Sequence, residues 1–401
     1  MFKHLRLSGP GGWTARLGLK TIGQSFNPKE NNFDLIRLFA AVLVLVSHCY
    51  PLTGQVTEPF ANYLGEYDTG GGWGVAIFFV ISGFLVARSV LGRSVGIYFT
   101  SRALRILPAL ALVTVFEIVV IGPMYTTQRL GAYFSNGETF RHLQNVSIFW
   151  IRQVLPDTFA TNPQAHIVNG SLWTLPIESA FYILLPVACV LGLLKPRPVL
   201  ACLAIVAALT AYTTTVLGWG WANQGGLLFP GGPAYYVLKQ GLFFLIGAAF
   251  WIHRDNIPHN KYLALGCVAL LVVFAWKEYR LVAMYIALPY LVIYAALARG
   301  IHARLGETIG DLSYGTYLFA FPVQQAIVAA HDGALGPGRL LLFALPLVLG
   351  LAFLSWRFVE QPALRLRHGL HKPRNTAQNY GTPVPSPPLS SPPLSSPPRT
   401  D

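Results

Sequence analysis

The segment from Asn31 to Tyr50 contains an almost uninterrupted apolar run, Leu38–Val46, with a basic side chain close to either end. Arg37 stands near its start and His48 near its end, eleven positions further along. Eleven residues of α-helix turn through about 1100° and rise about 16 Å, so both side chains lie on one helix face. A guanidinium can bind an anion, and an imidazole can move a proton. Because ionisable groups are costly inside a bilayer, this pair predicts a functional site. For His48 alone, the alternative is a histidine in the bundle interior that only forms hydrogen bonds to neighbouring helices.

A second pair of basic side chains, Arg102 and Arg105, lies where another apolar segment begins. Residues three apart share a helix face. Clustered arginines bind phosphate through bidentate, charge-assisted hydrogen bonds. The alternative is ordinary anchoring of a helix by positive charge at one side of the membrane. Arg37 favours the phosphate site, because it adds a third guanidinium at the same expected depth.

The carboxylate of Glu178 is expected inside the membrane. The apolar segment that begins near Ser171 places Glu178 about 10 Å below the outer surface, and His48 falls at a similar depth by the same arithmetic. A carboxylate beside a histidine can hold its tautomer and raise its basicity. We therefore predict that Glu178 and His48 share one site. A hydrogen bond that only packs two helices is the alternative role for Glu178.

Three further residues are predicted to bind or position the substrate. Ser82 and Gly83 lie on an apolar segment, where small residues let a ligand or a neighbouring helix approach closely. Helix contact is the simpler explanation for both. Trp173 is the third, and it lies between Ser171 and Glu178. The four cysteines are scattered without a C-x-x-C pair, so we predict neither a disulfide nor a metal site.

The composition is typical of an integral membrane protein. Of the 401 residues, 53% are hydrophobic and 11% are charged, against about 25% charged residues in a soluble domain. The net charge of +13 could suggest nucleic acid, but the basic residues lie between and beside apolar segments rather than in one soluble patch. Anionic ligands and anionic lipid explain the excess better, so no nucleic-acid partner is expected.

Apolar runs long enough to cross about 30 Å of hydrocarbon recur along the chain. They predict an all-α polytopic membrane protein, a bundle of about ten transmembrane helices. Lys and Arg concentrate in the connections on the N-terminal side, which predicts that both termini are cytoplasmic. The predicted spans are residues 33–50, 73–91, 104–122, 171–193, 199–217, 234–252, 261–276, 281–298, 311–330 and 338–356.

Three regions follow from this pattern: a basic cytoplasmic tail over residues 1–30, a transmembrane domain over 31–365 and a tail over 366–401. The second tail is rich in Pro and Ser and cannot bury a core, so we expect it to be disordered and cytoplasmic. The first thirty residues lack an apolar stretch, so no cleaved signal peptide is predicted. Within the long outer loop 122–170, residues 140–154 predict a short interfacial or re-entrant helix. A loop that only covers the bundle is the alternative for this stretch.

Several short motifs lie in order over residues 30–365. They are FDLIRL (33–38), SH (47–48), VAIFFVISGFL (75–85), the region 98–108, SLWTLPIESAFY (171–182), SYGTYL (313–318) and RFVEQP (357–362). As a set they resemble the membrane acyltransferase-3 family, the O-acetylases of bacterial surface polysaccharides, O-antigens and rhizobial lipo-oligosaccharides. Two positions depart from the family pattern: Ala76 stands where many members carry an acidic residue, and Ala320 where many carry a histidine.

The resemblance implies an acyltransferase of the bacterial inner membrane. It would move an acyl group, usually acetyl, from cytoplasmic acyl-CoA to a sugar hydroxyl of a surface or exported glycan. Acetyl-CoA is then the co-substrate, and the other partners are membrane lipid and a glycan or lipid-linked saccharide. No metal is implied.

The same resemblance implies roles for the residues named above. Arg37, Arg102 and Arg105 would hold the nucleotide phosphates, and the pantetheine arm is roughly as long as the ~16 Å from Arg37 to His48. His48 would be a general base, with direct acylation of His48 as the alternative. Glu178 would orient His48 or bind the sugar.

A transporter that flips a lipid-linked saccharide is the main alternative function, since a helical bundle with intramembrane charge suits it equally. The three arginines and the ordered motifs count against it, as does the lack of an evident two-fold sequence repeat. A non-catalytic membrane sensor that uses the Pro-rich tail as an adaptor is a third alternative. Deleting the residues after Pro362 tests it, because an adaptor would then fail while an acyltransferase should still work.

Overall fold

The computed structural model describes residues 18–55, 57–63, 68–220, 223–277, 279–298 and 309–369. Within these ranges the chain forms a bundle of helices with one short hairpin. The main helices are α1 (Phe33–Leu52), α2 (Gly70–Gly92), α3 (Val95–Phe116), α4 (Leu175–Val190), α5 (Pro196–Thr215), α6 (Ala234–Ile252), α7 (Lys261–Val273), α8 (Arg280–Leu297), α9 (Ser313–Ala329) and α10 (Pro337–Ser355).

Each predicted apolar span overlaps one of these helices, although α3 begins at Val95 and not at the predicted residue 104. Eight helical segments of the described chain are long and apolar enough to cross a membrane. The two exceptions are α7, with 13 residues, and α9, with 17 residues. The structure therefore supports a helical membrane protein with eight candidate spanning helices, where the sequence predicted ten.

Two of the long helices continue through a π-helical turn. The turn Glu117–Ile121 follows α3, and the turn Trp356–Glu360 follows α10. A π turn inserts an extra residue into the helix, and such turns are frequent at functional sites. Each of these turns carries a glutamate that is buried, Glu117 in the first and Glu360 in the second.

Shorter elements connect the main helices. Strands β1 (Leu227–Phe229) and β2 (Gly232–Pro233) pair antiparallel. The predicted helix over residues 140–154 is wrong in its second half, because Ile148 adopts a φ of 63° and ends the helical turn. The short helical elements are Ile22–Ser25, Pro59–Tyr63, Gly122–Tyr125, Leu130–Ser135, Gly137–Arg141, His142–Ser147, Gly170–Thr174 and Gln361–Gly369.

Helix α2 is the most buried of the candidate spans and packs between α1 and α6. Gly83 and Gly247 lie where α2 crosses α6. A Cβ atom on Gly83 would lie 1.9 Å from the carbonyl oxygen of Phe244, and one on Gly247 would lie 2.2 Å from that of Val80. Only glycine permits two helix backbones to approach this closely.

Helix α9 is a second buried element, packed against α1 and α10. Gln324 of α9 donates hydrogen bonds to the carbonyl oxygen of Leu45 at 2.8 Å and to Cys49 Sγ at 3.0 Å. Both acceptors belong to α1. Helix α1 is therefore fixed between α2 on one side and α9 on another.

The long connection between α3 and α4 folds back into the bundle. Asn169 donates hydrogen bonds to Glu117 Oε1 at 2.6 Å and to the carbonyl oxygen of Leu318 at 3.0 Å. All three groups belong to the interior, since Asn169, Glu117 and Leu318 are fully buried. The chain therefore already lies inside the bundle before α4 begins.

The N-terminal segment is part of the fold from residue 18 onward. The Ile22 amide donates a hydrogen bond to the Ile257 carbonyl at 2.9 Å, and Thr21 forms a β-bridge with Pro258. The described part of the predicted N-terminal tail thus packs on the connection after α6. Residues 1–17 of that tail, and residues 370–401 of the predicted C-terminal tail, lie outside the described residues.

Candidate active site

A cavity of about 670 Å³ lies at the end of the bundle where α1 and α3 begin and α2 ends. Its lining contains seven Arg or Lys side chains and only two carboxylates, so it favours an anionic ligand. The three arginines predicted from the sequence all lie here. The charged lining residues are Arg37, Arg88, Arg93, Arg102, Arg105, Lys195, Arg254, Asp34 and Asp311.

Two of the predicted arginines already have carboxylate partners. Arg105 Nη2 lies 2.5 Å from Asp311 Oδ2, and its Nη1 lies 3.7 Å from Glu360 Oε2. Arg37 Nη1 lies 3.4 Å from Asp34 Oδ1 and 3.8 Å from Asp311 Oδ2. Burial alone would raise the pKa of Asp311, but the charges of Arg105 and Arg37 outweigh burial and lower it. These two guanidinium groups are therefore partly neutralised within the cavity wall.

Arg102 differs from the other two. In the described part of the chain, no carboxylate lies within ion-pair distance of its guanidinium. Its Nε is buried without a hydrogen-bond partner, and its Cζ lies 5.7 Å from the centre of the Tyr182 ring. Because a buried donor without a partner is costly, Arg102 is better placed than Arg37 or Arg105 to bind an anion.

His48 lies near the opposite end of α1. Its ring packs edge-on against Phe321 of α9, with 5.2 Å between the ring centres. Its Nδ1 is buried without a hydrogen-bond partner. Helix α1 is continuous from Phe33 to Leu52, so the predicted separation of about 16 Å between Arg37 and His48 follows from the helix rise.

Glu178 does not pair with His48. It accepts hydrogen bonds from Ser82 Oγ at 3.0 Å and from the Tyr182 hydroxyl. The ring of Tyr182 is also the one that lies beside Arg102. The carboxylate therefore belongs to the arginine end of the site, and the predicted pairing of Glu178 with His48 is wrong.

The depth predicted for Glu178 fails because the chain enters the bundle before α4 begins. Gly170, eight residues before Glu178, already lies against Phe321, the same ring that contacts His48. Eight residues of helix carry the chain about 12 Å further along the bundle. Counting from the membrane surface therefore placed Glu178 too close to the imidazole.

Gly83 and Trp173, which were also predicted to position the substrate, lie in different parts of the bundle. Gly83 lies at the crossing of α2 and α6, where the backbone of Phe244 leaves no room for a side chain. Trp173 packs against Tyr236 of α6, with 4.6 Å between the ring centres. Lys239, one turn further along α6, forms an ion pair of 2.5 Å with Asp68. Trp173 therefore stands beside a polar and aromatic group of side chains.

A buried polar cluster that the sequence analysis missed lies where the 122–170 segment meets α3. Glu117 Oε2 lies 2.8 Å from His142 Nε2, and Glu117 Oε1 accepts a hydrogen bond from Asn169. His142 Nδ1 lies 3.2 Å from the carbonyl oxygen of Val154. The ionisable Glu117 within an apolar span is the signal that could have identified this cluster.

The sequence analysis also missed Glu58, which lies in the connection that follows the helix of His48. Its carboxylate accepts hydrogen bonds from Ser47 Oγ at 2.9 Å and from the Gly70 amide at 3.1 Å. Ser47 precedes His48, and Gly70 begins α2, so Glu58 fixes the connection between α1 and α2. Burial raises the pKa of Glu58, although the hydrogen bonds from Ser47 and Gly70 oppose that rise. No local pattern in this polar loop distinguishes Glu58.

Comparison with known proteins gives a consistent result. A family model described as an acyltransferase domain matches residues 30–357. An O-acetyl transferase of Shigella phage Sf6 is 32% identical over 340 residues, which cover 83% of this chain and 96% of the relative. Nodulation protein 10 of Rhizobium leguminosarum bv. viciae is 28% identical over 370 residues, which cover 85% of this chain and 95% of the relative.

A more distant relative is a putative peptidoglycan O-acetyltransferase of Bacillus subtilis. It is 25% identical over 373 residues, which cover 82% of this chain and 54% of the relative. No protein of known structure matches. Because the family model spans most of the chain, from before Arg37 and His48 to beyond Asp311, the resemblance in the sequence is confirmed: this chain belongs to the acyltransferase-3 family and is a multi-pass membrane acyltransferase.

Proposed function

We propose that this protein transfers an acetyl group from acetyl-CoA to a sugar hydroxyl of a surface or exported glycan. The observation that carries the proposal is the arrangement along α1. A cavity lined by seven basic side chains surrounds its Arg37 end, and an imidazole with an unpartnered nitrogen lies about 16 Å away. The names of the relatives, O-acetyl transferase and putative peptidoglycan O-acetyltransferase, support acetyl transfer to a glycan.

The donor fits this arrangement in charge and in length. Coenzyme A carries its phosphates at one end and its thioester at the other. Guanidinium groups are suited to bind phosphates, and the pantetheine arm is roughly as long as the ~16 Å from Arg37 to His48. We therefore place the nucleotide in the basic cavity and the thioester near His48. Positive residues concentrate at the cytoplasmic side of membrane proteins, which is where acyl-CoA is available.

His48 acts as the general base in this proposal. Its imidazole takes the proton of the acceptor hydroxyl while the hydroxyl oxygen attacks the thioester carbonyl. The C–S bond then breaks, and the thiolate of coenzyme A leaves and takes up the proton. Contact with Phe321 holds the imidazole ring by packing.

The acceptor binds at the His48 end of the bundle. Trp173 and Tyr236 form an aromatic surface there, since Gly170, three residues before Trp173, contacts the same Phe321 ring as His48. Aromatic walls with a few polar groups are typical of ligand sites. We therefore assign Trp173 to positioning of the acceptor, next to the polar Lys239 side chain.

Release of free coenzyme A from acetyl-CoA by the purified protein in lipid, with and without a glycan acceptor, tests this proposal. The wild type should release coenzyme A only when the glycan is present. His48→Gln keeps a polar side chain but removes the base, so transfer should fall about 10²- to 10⁴-fold, while acetyl-CoA still binds. Transfer at the wild-type rate by this variant would contradict the role of His48.

His331→Gln is a matched control, because His331 is an exposed histidine just beyond α9. This variant should transfer the acetyl group at the wild-type rate. A wild-type protein that neither binds acetyl-CoA nor releases coenzyme A would contradict the whole proposal. That outcome would favour a transporter of a lipid-linked saccharide.

A further inference from the structure

The basic side chains of the cavity differ in their partners. Within the described residues, no carboxylate lies at ion-pair distance from Arg88 or Arg102. Those two arginines therefore carry charge that the protein does not compensate locally. Arg37, Arg105 and Arg254 of the same cavity, by contrast, each contact a carboxylate.

Arg88 is held by aromatic rings instead of by a carboxylate. Its Cζ lies 4.9 Å from the centre of the Phe26 ring and 5.9 Å from the centre of the Trp251 ring. Such contacts stabilise a guanidinium without neutralising its charge. Because Trp251 also lines the cavity, Arg88 is fixed at the wall with its charge available to a ligand.

Arg88 and Arg102 lie at different depths. Arg88 stands four residues before α2 ends at Gly92, and Arg102 stands seven residues after α3 begins at Val95. These helix ends are neighbours, since only two residues connect them. Arg102 lies beside the ring of Tyr182, whose hydroxyl contacts Ser82 of α2. Ser82 stands six residues before Arg88 on the same helix, which places it about 9 Å deeper than Arg88 at ~1.5 Å per residue. Arg88 is therefore the outer of the two charges.

The next step rests on the proposed function. Coenzyme A with its thioester directed toward His48 places its pyrophosphate at the inner position and the 3′-phosphate of its ribose further out. We infer that Arg102 binds the pyrophosphate and that Arg88 binds the 3′-phosphate through charge-assisted hydrogen bonds. Arg88 thereby distinguishes coenzyme A from donors that lack this phosphate.

The test compares acetyl-CoA with acetyl-3′-dephospho-CoA as donors for the full chain in lipid nanodiscs. For the wild type, the KM for acetyl-CoA should be about 10- to 100-fold lower than the KM for the dephospho donor. Arg88→Gln should raise the KM for acetyl-CoA to that of the dephospho donor, and should change neither kcat nor the KM for the dephospho donor. Arg88→Lys keeps the charge and should restore part of the preference.

Arg339→Gln is the control, because Arg339 is an exposed arginine of α10 that does not line the cavity; neither KM should change. The assignment would be overturned if the wild type had equal KM values for the two donors, or if Arg88→Gln raised the KM for both donors equally. Either result would leave the acyltransferase reaction standing. Absence of turnover from both donors in the wild type would overturn the proposed function together with this assignment. The two failures are thus distinguishable.

Discussion

Arg105 and Asp311 lie 206 positions apart in the sequence and form an ion pair of 2.5 Å in the wall of the basic cavity. Asp311 Oδ1 also accepts hydrogen bonds from the amide and the hydroxyl of Ser313, the first residue of α9. The same aspartate lies 3.8 Å from Arg37. It therefore couples the start of α9 to arginines on α1 and α3, and the shape of the cavity depends on it.

Asp311→Asn should lower the free energy of unfolding by about 1–3 kcal/mol, because Arg105 and Arg37 would lose a shared counter-charge. Thermal unfolding in detergent measures the change. Asp332→Asn is the matched control, since Asp332 is exposed and has a φ of 50°, which asparagine tolerates. Equal transition temperatures for the two variants would contradict the role of Asp311.

Glu178→Gln tests which end of the site this carboxylate serves. Its hydrogen bonds to Ser82 and Tyr182 place it on the side of Arg102. We therefore expect a higher KM for acetyl-CoA and an unchanged pH dependence of kcat. A carboxylate that oriented His48 would instead alter the pH profile of kcat, because the base itself would change. Steady-state kinetics across the neutral pH range separates the two results.

Gly83→Ala should destabilise the protein by about 1–3 kcal/mol, because the added methyl group would collide with the backbone of Phe244. Thermal unfolding in detergent is again the measurement. Gly266→Ala on α7 is the control, since a Cβ atom there has no neighbour within 4 Å. Alanine is the better helix former by about 0.5–1 kcal/mol, so this control should be at least as stable as the wild type. A stable Gly83→Ala variant would show that the two helices can separate without cost.

His142→Ala should destabilise the protein by about 3 kcal/mol, because Glu117 would remain buried with one partner fewer. Limited proteolysis should then cut the 122–170 segment faster than in the wild type. His331→Ala, at an exposed position, removes a histidine without burying a charge and should leave both readouts unchanged. Wild-type stability of His142→Ala would mean that this cluster does not hold the segment in place.

Glu58 should make stability depend on pH. Burial raises its pKa above the usual value of 4.5, so the folded protein binds this proton more tightly than the unfolded chain. Stability from this group is therefore greatest below pH 4.5 and is lost as the pH rises through the raised pKa.

Glu58→Gln stays neutral at every pH, and its amide oxygen can still accept the hydrogen bond from Ser47. The thermal unfolding midpoint of this variant should fall less than that of the wild type as the pH rises above 4.5. Glu30→Gln, at an exposed position, should follow the wild type. Identical pH profiles for Glu58→Gln and the wild type would remove the basis for this assignment.

The parts of the fold that depend on local sequence were predictable. Apolar runs overlap all ten main helices, because the apolar pattern of each run is a local property of the sequence. The spacing of Arg37 and His48 was correct for the same reason, since α1 is uninterrupted between them. The sequence also predicted that three arginines lie together, namely Arg37, Arg102 and Arg105. This was possible because α1 and α3 begin at the same end of the bundle.

The parts that depend on packing were not predictable. Nothing near Arg105 in the sequence indicates that Asp311 neutralises it, because that contact depends on where α9 starts in space. The predicted depth of Glu178 was wrong because the residue count assumed that the chain enters the membrane at Ser171. The structure shows that Asn169 is already buried. Both errors arise where distant segments determine the position of a side chain.

The interior position of the 122–170 segment has a consequence for the order in which the protein is assembled. Asn162 and Asn169 donate hydrogen bonds to the carbonyl oxygens of Gln325 and Leu318, which lie 163 and 149 residues later on α9. Chains fold from the N-terminus during synthesis, so this segment cannot reach its final position until the ribosome has delivered α9. Phe321, which packs on His48, arrives with the same helix. The imidazole therefore acquires its surroundings among the last events of biogenesis, and a nascent chain that stops before α9 has the helix of His48 but no site around it.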